Sequence, residues 1–379
     1  MRRGAVLIAT ALLAVSCGSG SSSGSHNTPS AKASPAAAVS PSASPSAGPL
    51  TGTYGLILSA GDLNLIKPDA SIAATVPVAS ASAQYCSSQH DALQAPPPVS
   101  ASNDEVYFRD GDTKIRMLVP PGGAADVTTV PGGPNTISFF SVSPDDKSIA
   151  VLVEDVSGAT AISLSLYVED LHGGGHHTVI YTSTTPKGKN GTTLWPMGWH
   201  AGALVLAVVP ACTFQPAGIT PTEWHVASTA NGTRLATIKA NACTLSFWPS
   251  PAGVGCVGGG GATTLYDWTG KVLSATGPPT PSDAYQQSAV SPAGNSAFWA
   301  SGAAVGTAPP ATQILQLGPG PYASVQGHAA CIWIDEDHLL APDAVIQFPA
   351  ETPGNLQVTA AVTALTASGV CAGRFPGGL

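Results

Sequence analysis

The chain has 379 residues, 44% of them hydrophobic but only 9% charged and 6% aromatic, with a net charge of −8 at pH 7. A typical soluble domain is about a quarter charged, so this surface is built largely from Ser, Thr, Ala, Gly, Pro and Gln, and the negative balance leaves no electrostatic footprint for nucleic acid or anionic lipid. The 42 Gly and 34 Pro argue for many short strands and turns over long helices.

At the start, Arg2 and Arg3 precede an apolar run from Gly4 to Val15 that ends at Ser16-Cys17. A charged head, an apolar stretch of secretory length and small residues before a cut point make an export signal, too short to span a bilayer. The junction Ala14-Val15-Ser16-Cys17 resembles the bacterial lipoprotein box, departing from it in carrying Ala14 where Leu is usual. That resemblance implies a signal peptide over 1–16, lipid on Cys17 and an anchor on the extracytoplasmic face of the cell membrane. An ordinary secreted protein cut nearby is the alternative.

Residues 18 to about 50 are almost entirely Ser, Ala, Pro and Gly, with Lys32 the only formal charge. Such a segment cannot bury enough apolar surface to offset its ordering entropy, so 17–50 reads as a lipidated Cys followed by a disordered tether. Its reach is roughly 30 Å if flexible and about 100 Å if stretched into polyproline-like form. Gly20-Ser21-Ser22-Ser23-Gly24 matches the hydrolase nucleophile elbow, but that motif needs a strand-turn-helix context, which low complexity cannot supply. No later apolar run is long enough for a second membrane span.

Over 51–379 one pattern recurs: an apolar strand, a short turn rich in Gly, Pro, Asn or Asp, then a strand rich in Val, Ile and Thr. The copies fall at 63–76, 114–130, 165–181, 224–238, 265–276, 314–325 and 365–375. Most are preceded by a second hairpin, at 100–108, 139–153, 198–209, 247–257, 289–300 and 331–341, with Trp or Phe near the turn to fill a wedge between units. Two hairpins per repeat make four antiparallel strands, the unit of a β-propeller blade. The expected fold is therefore all-β, a propeller of seven four-stranded blades, or six if the cysteine-rich fourth and fifth copies are irregular. The first copy lacks an innermost strand before Tyr54, so ring closure should pair strands from the two ends of the domain.

Ser143-Pro144-Asp145-Asp146-Lys147 followed by SIAVLV resembles the Ser-Pro-Asp-Gly-Lys turn of TolB-like and WD-repeat propellers. Ser291-Pro292-Ala293-Gly294-Asn295 and Ser250-Pro251-Ala252-Gly253 are weaker versions. Ser or Asp caps such a turn, Pro sets φ, and Gly tolerates positive φ. The resemblance implies a fold and no particular function.

Three segments could carry chemistry, and each falls at a hairpin turn of the repeat. His172-Gly173-Gly174-Gly175-His176-His177 resembles an esterase oxyanion loop and could bind a metal, but it occupies the position of Ala230-Asn231-Gly232-Thr233 in the next copy. Leu265 to Leu273 looks like one blade motif of quinone-dependent dehydrogenase propellers, which repeat it where this chain has it once. Asp335, Glu336, Asp337 and His338 could ligate Ca²⁺ or do acid-base work, as could Asp145 and Asp146, yet a solvated turn accounts for both; His200 reads as structural. No catalytic residue, metal or cofactor is assigned.

Without Cys17, six cysteines remain, and none forms a C-x-x-C pair, so structural staples are the expected use. In a propeller the loop between the two hairpins and the loop between blades share a face. That placement predicts a Cys212–Cys243 disulfide closing about 30 residues and contributing on the order of 3–4 kcal/mol, with a Cys86–Cys331 clasp second and Cys256 and Cys371 free. The same face carries longer insertions at 81–98, 183–195 and 210–222, where a rigid scaffold would hold recognition loops. The functional expectation is a lipid-anchored binding or scaffolding module for a protein or glycan, with no nucleic-acid partner. The alternative is an extracytoplasmic propeller enzyme, a glycan-active hydrolase or lyase or a cofactor-dependent dehydrogenase. It requires paired carboxylates or a His-carboxylate pair at the central tunnel.

Overall fold

The computed structural model describes residues 50–86, 93–173, 175–188, 190–212, 220–258, 262–276, 287–301, 310–317, 322–348, 357–360 and 369–379. The predicted signal peptide, Cys17 and the tether up to residue 49 lie outside them. The described residues form seven four-stranded antiparallel sheets and no helix. With strands numbered in chain order, blade 2 is β4 (Val99–Ala101), β5 (Val106–Asp110), β6 (Lys114–Val119) and β7 (Gly123–Thr129). Blade 3 is β8 (Thr136–Val142), β9 (Ser148–Asp155), β10 (Ala161–Asp170) and β11 (Thr178–Pro186). Blade 4 is β12 (Thr192–His200), β13 (Ala203–Pro210), β14 (Glu223–Ala227) and β15 (Arg234–Lys239). Blade 5 is β16 (Cys243–Leu245), β17 (Val254–Gly258), β18 (Thr263–Tyr266) and β19 (Val272–Thr276). Blade 6 is β20 (Gln287–Val290), β21 (Ser296–Ser301), β22 (Ala311–Gln316) and β23 (Tyr322–Gln326). Blade 7 is β24 (Ile332–Trp333), β25 (His338–Ala341), β26 (Ala344–Gln347) and β27 (Gln357–Ala360).

Blade 1 closes the ring. Its innermost strand is β28 (Val370–Phe375), paired antiparallel with β1 (Tyr54–Ser59), which continues into β2 (Asp62–Ile66) and β3 (Ile72–Pro77). The register runs from Tyr54 opposite Phe375 to Leu58 opposite Val370, with a bulge between Leu56 and Ile57. The seven-bladed reading and the pairing of strands from both ends of the domain are both realised. One repeat differs: 365–375 is not the outer hairpin of blade 7. That hairpin is β26 with β27, and Val370–Phe375 instead supplies the strand that blade 1 lacks, because a single inner strand left over at the end can pair only with the open edge of β1.

Each blade is buried on both faces, which explains runs such as SIAVLV in place of a polar alternation. In β8, Phe139 packs into the apolar cluster shared by blades 3, 4 and 5, whereas Phe140, next in sequence, packs toward blade 2. Indoles lock neighbouring blades as the wedge argument requires. Trp199 Nε1 donates to the Ser141 carbonyl of blade 3 at 3.3 Å, Trp299 to Thr263 Oγ1 of blade 5 at 2.6 Å, and Trp333 to the Ala289 carbonyl of blade 6 at 3.1 Å. A buried indole keeps its dispersion contacts without orphaning its N–H.

The propeller has two faces. Innermost strands start at a leading face, where the blade-to-blade connections lie, and end at a trailing face, where each first hairpin turns. The described chain enters at the trailing face, with Leu50 N donating to the Asp104 carbonyl.

Candidate functional site: the central channel and its two closures

The innermost strands surround a narrow channel of about 70 Å³. Its wall is largely apolar and backbone-rich, with Pro96 to Pro98, Phe139, Phe140, Trp199, Trp248 and Ile332 beside Ser100, Ser138 and Ser141. Among the described lining residues the ionisable groups are Arg109 and Arg374; no carboxylate or imidazole is there. The converging acid pair that an enzyme reading requires is not among them.

At the leading face residues 78–86 and 93–98 form a strap. Asp110 accepts from Ala79 N at 2.7 Å, and Asp112 accepts from Ser82 N and Oγ at 2.6 and 2.9 Å, both in blade 2. Gln84 Nε2 donates to the Gly133 carbonyl between blades 2 and 3 at 2.9 Å, and Gln94 N to the Ala211 carbonyl of blade 4 at 3.0 Å. The strap then returns through Pro96–Pro98 to the channel wall and β4. A disulfide between Cys86 and Cys212 pins its far end.

That bond corrects the expected pairings. Cys212 bonds Cys86, not Cys243; Cys243 bonds Cys256, and Cys331 bonds Cys371, not Cys86. The predicted shared face is right, but the strap carries Cys86 across two blades to Cys212, a path invisible in repeat periodicity. Cys243, left without that partner, lies on a strand paired with the one carrying Cys256. Cys331 precedes β24 and Cys371 lies in β28, adjacent inner strands at the closure, so neither Cys256 nor Cys371 is free. The 183–195 insertion is instead the end of β11, a short turn and the start of β12.

At the trailing face the residues after β28 cross the channel mouth. Gly377 N donates to the Ser102 carbonyl at 2.8 Å and Leu379 N to the Trp199 carbonyl at 3.2 Å, while Arg374 Nη2 donates to the Gly378 carbonyl at 2.9 Å. The approach at Gly377 is close enough to demand glycine: a Cβ there would lie 2.1 Å from the Ala101 carbonyl oxygen.

The two channel arginines are desolvated. Burial pulls each guanidinium down to about 10, opposed in Arg109 by the charge of Asp112 and in Arg374 by that of Glu336. Neither carboxylate is in ion-pair contact with its arginine; Asp112 is engaged by Ser82, and Glu336 accepts from Ser291 Oγ at 3.0 Å and from Ala293 N. Beside the channel, Glu154 is fully buried between blades 3 and 4, accepting from Thr193 Oγ1. Desolvation pushes its carboxyl up to about 8 against that hydrogen bond. With no exposed surface it cannot meet a substrate.

The turn segments singled out in the sequence lie away from the channel lining. His176 and His177 pair with Asp170 and Glu169 at 3.0 and 2.8 Å on an exposed hairpin end, and Gly174 lies outside the described residues. Asp267 caps its own turn through Thr269 N and Lys271 N. Asp335 accepts from Asp337 N, His338 N and Thr53 Oγ1, tying blade 7 to the segment before β1. Desolvation raises its carboxyl, but the hydrogen bonds, led by that of His338, hold it below the usual range. His200 ends β12 beside Trp268, 6.1 Å between rings. Arg109, Arg374 and Glu154 gave no signal in the sequence: each lies near the end of an otherwise apolar strand, with no motif around it.

No protein-family model matches this chain, and no curated protein matches it. Solved structures do. A protein from Lactobacillus plantarum is 14% identical over 81% of this chain and 94% of its own, with a TM-score of 0.44. The WD40 domain of SCAP from fission yeast is 9% identical over 81% and 87%, at 0.41. Oligogalacturonate lyase from Vibrio parahaemolyticus is 11% identical over 68% and 74%, also at 0.41. The likeness is one of fold. Enzymes and WD40 domains both occur among these neighbours, so they do not separate catalysis from binding.

Proposed function

We propose that this chain is an exported, lipid-anchored propeller that binds or scaffolds a protein or glycan on the extracytoplasmic face of a bacterial cell membrane. The observation that supports the non-catalytic part is the channel wall: among the described lining residues the charged groups are guanidiniums, which position anions but do not act as general bases at neutral pH. Three disulfides among the described residues suit an oxidising compartment, and the Ala14–Cys17 junction supplies the anchor. The described strap residues are pinned at Cys212 to a rigid scaffold, the arrangement that recognition loops use.

Two measurements on intact cells test this. Mass spectrometry of the mature N-terminus should find diacylglyceryl-Cys17, and Cys17→Ala should move the protein from the membrane to the soluble fraction; an unmodified N-terminus elsewhere overturns the anchor. Cross-linked capture should recover a specific envelope protein or glycan. Turnover of a glycan or redox substrate by the purified chain would overturn the binding reading.

A further inference from the structure

We infer that residues 376–379 are a gate over the trailing mouth of the channel, and that ionisation of Glu105 releases it. The gate leaves blade 1 after β28, bonds to blade 2 through Gly377 N and the Ser102 carbonyl, and reaches blade 4 through Leu379 N and the Trp199 carbonyl. Gly377, Leu379 and Trp199 all line the channel. Its hold on blade 2 rests on one turn, residues 102–105, between β4 and β5. Ser102 closes that turn: its N donates to the Glu105 carbonyl at 2.9 Å, and its Oγ accepts from Asp104 N and Glu105 N at 3.2 and 2.9 Å. Leu50 N donates to the Asp104 carbonyl at 3.3 Å, and Asn103 N to the Pro144 carbonyl of blade 3 at 3.2 Å. The gate, the entering chain and the blade 3 turn therefore meet on four residues.

The charge acting on this junction is of one sign. Glu105 is half-buried, its own turn contributes Asp104, and the blade 3 turn contributes Asp146, whose carboxylate accepts from Tyr107 at 2.8 Å. The cations of the neighbouring elements are engaged elsewhere: Lys147 pairs with Asp145 at 3.1 Å, and Arg374 of β28 donates to the Gly378 carbonyl and is acted on by the charge of Glu336. Residues 50–53 and 376–379 carry no ionisable side chain. Burial first, then the charges of Asp146 and Asp104, push the Glu105 carboxyl up to about 7. The native turn thus favours the protonated form, and that contribution is complete below about pH 4.5 and lost as pH rises through about 7. Above that, Glu105 is a third negative charge in a partly buried site, and moving the turn toward water relieves it. The Ser102 carbonyl moves with the turn. The gate does not follow, because its other anchors are on blades 1 and 4, so the Gly377 bond is the one that breaks.

Hydrogen exchange on the full-length chain tests this, read at the amides of Gly377 and Leu379 at about pH 5.5 and about pH 8.5, with labelling times scaled for the intrinsic rate. Protection at both amides should fall at least tenfold at the higher pH, while β21 in the buried interior of blade 6 keeps its own. Glu105→Gln should abolish the pH dependence. Asp146→Asn, which removes a like charge but keeps an acceptor for Tyr107, should move its midpoint to lower pH. Glu154→Gln, at the other side of blade 3, should leave it unchanged. Equal protection at the two pH values, a dependence that survives Glu105→Gln, or loss of protection in β21 alongside the gate would overturn the proposal. The wild-type comparison needs no variant, and Asp146→Asn tests the charge argument where Glu105→Gln fails to fold. The readout involves no ligand, so its failure leaves the binding reading standing.

Discussion

Asp146 shows how a single residue can depart from a pattern and still serve it. Related turns place Gly where this chain has Asp146, and the backbone there is left-handed at φ 57°, as at Gly294 in the matching turn of blade 6 (φ 77°). Asp tolerates that conformation better than most side chains, and its carboxylate accepts from Tyr107 of blade 2 at 2.8 Å, a contact Gly would lack. Glu154 is the opposite case, a charge-bearing residue where packing wants none. Its folded value near 8 lies above its ordinary 4.5, so the native state holds the proton more tightly than the unfolded chain does. The stability this contributes is complete below about pH 4.5 and is lost as pH rises through about 8. Glu154→Gln should therefore gain on the wild type, by on the order of 3 kcal/mol, between pH 5 and pH 9 in urea unfolding. A constant difference across that range would show that Glu154 is not desolvated.

Among the elements, the strap has the largest consequence for stability. The Cys86–Cys212 bond links residues 126 apart, whereas Cys243–Cys256 links residues 13 apart. Chain entropy then assigns the first about 4–5 kcal/mol and the second roughly 3 kcal/mol. Cys86→Ser should lower stability more than Cys256→Ser does, and should open residues 78–86 to limited proteolysis while the blades remain resistant. Non-reducing peptide mapping that recovers Cys212 joined to Cys243 would remove the strap altogether. Here the sequence was half legible. The shared face of Cys86 and Cys212 follows from strand alternation, but which loop crosses to which blade depends on strap residues such as Ser82 and Gln84, whose polar side chains look like any surface loop.

At the scale of the whole molecule, closure by β28 joins the two ends of the domain. Leu56, Ile57 and Phe375 are each buried to within 1% exposure, and β28 supplies one wall of that burial. Removing residues 370–379 should leave the edge of β1 unpaired, free Cys331, and open the trailing mouth. We expect such a chain to lose its single cooperative unfolding transition, read by calorimetry and near-ultraviolet dichroism. A truncated chain that still melts as one unit would mean that the ring does not depend on closure.

Periodicity alone determined the four-stranded unit and the wedge indoles and narrowed the blade count to seven or six, because each is written locally: turn residues at fixed offsets, and strands apolar on both faces. The Cys17 junction is equally local. What only the tertiary structure decided is non-local by nature. Gly377 must be bare because it crosses the Ala101 carbonyl, Cys371 finds Cys331 because β28 returns to close the ring, and Asp112 is engaged by a strap residue thirty positions earlier. Such facts depend on which surfaces meet once the ring shuts, and no window along the chain contains both partners.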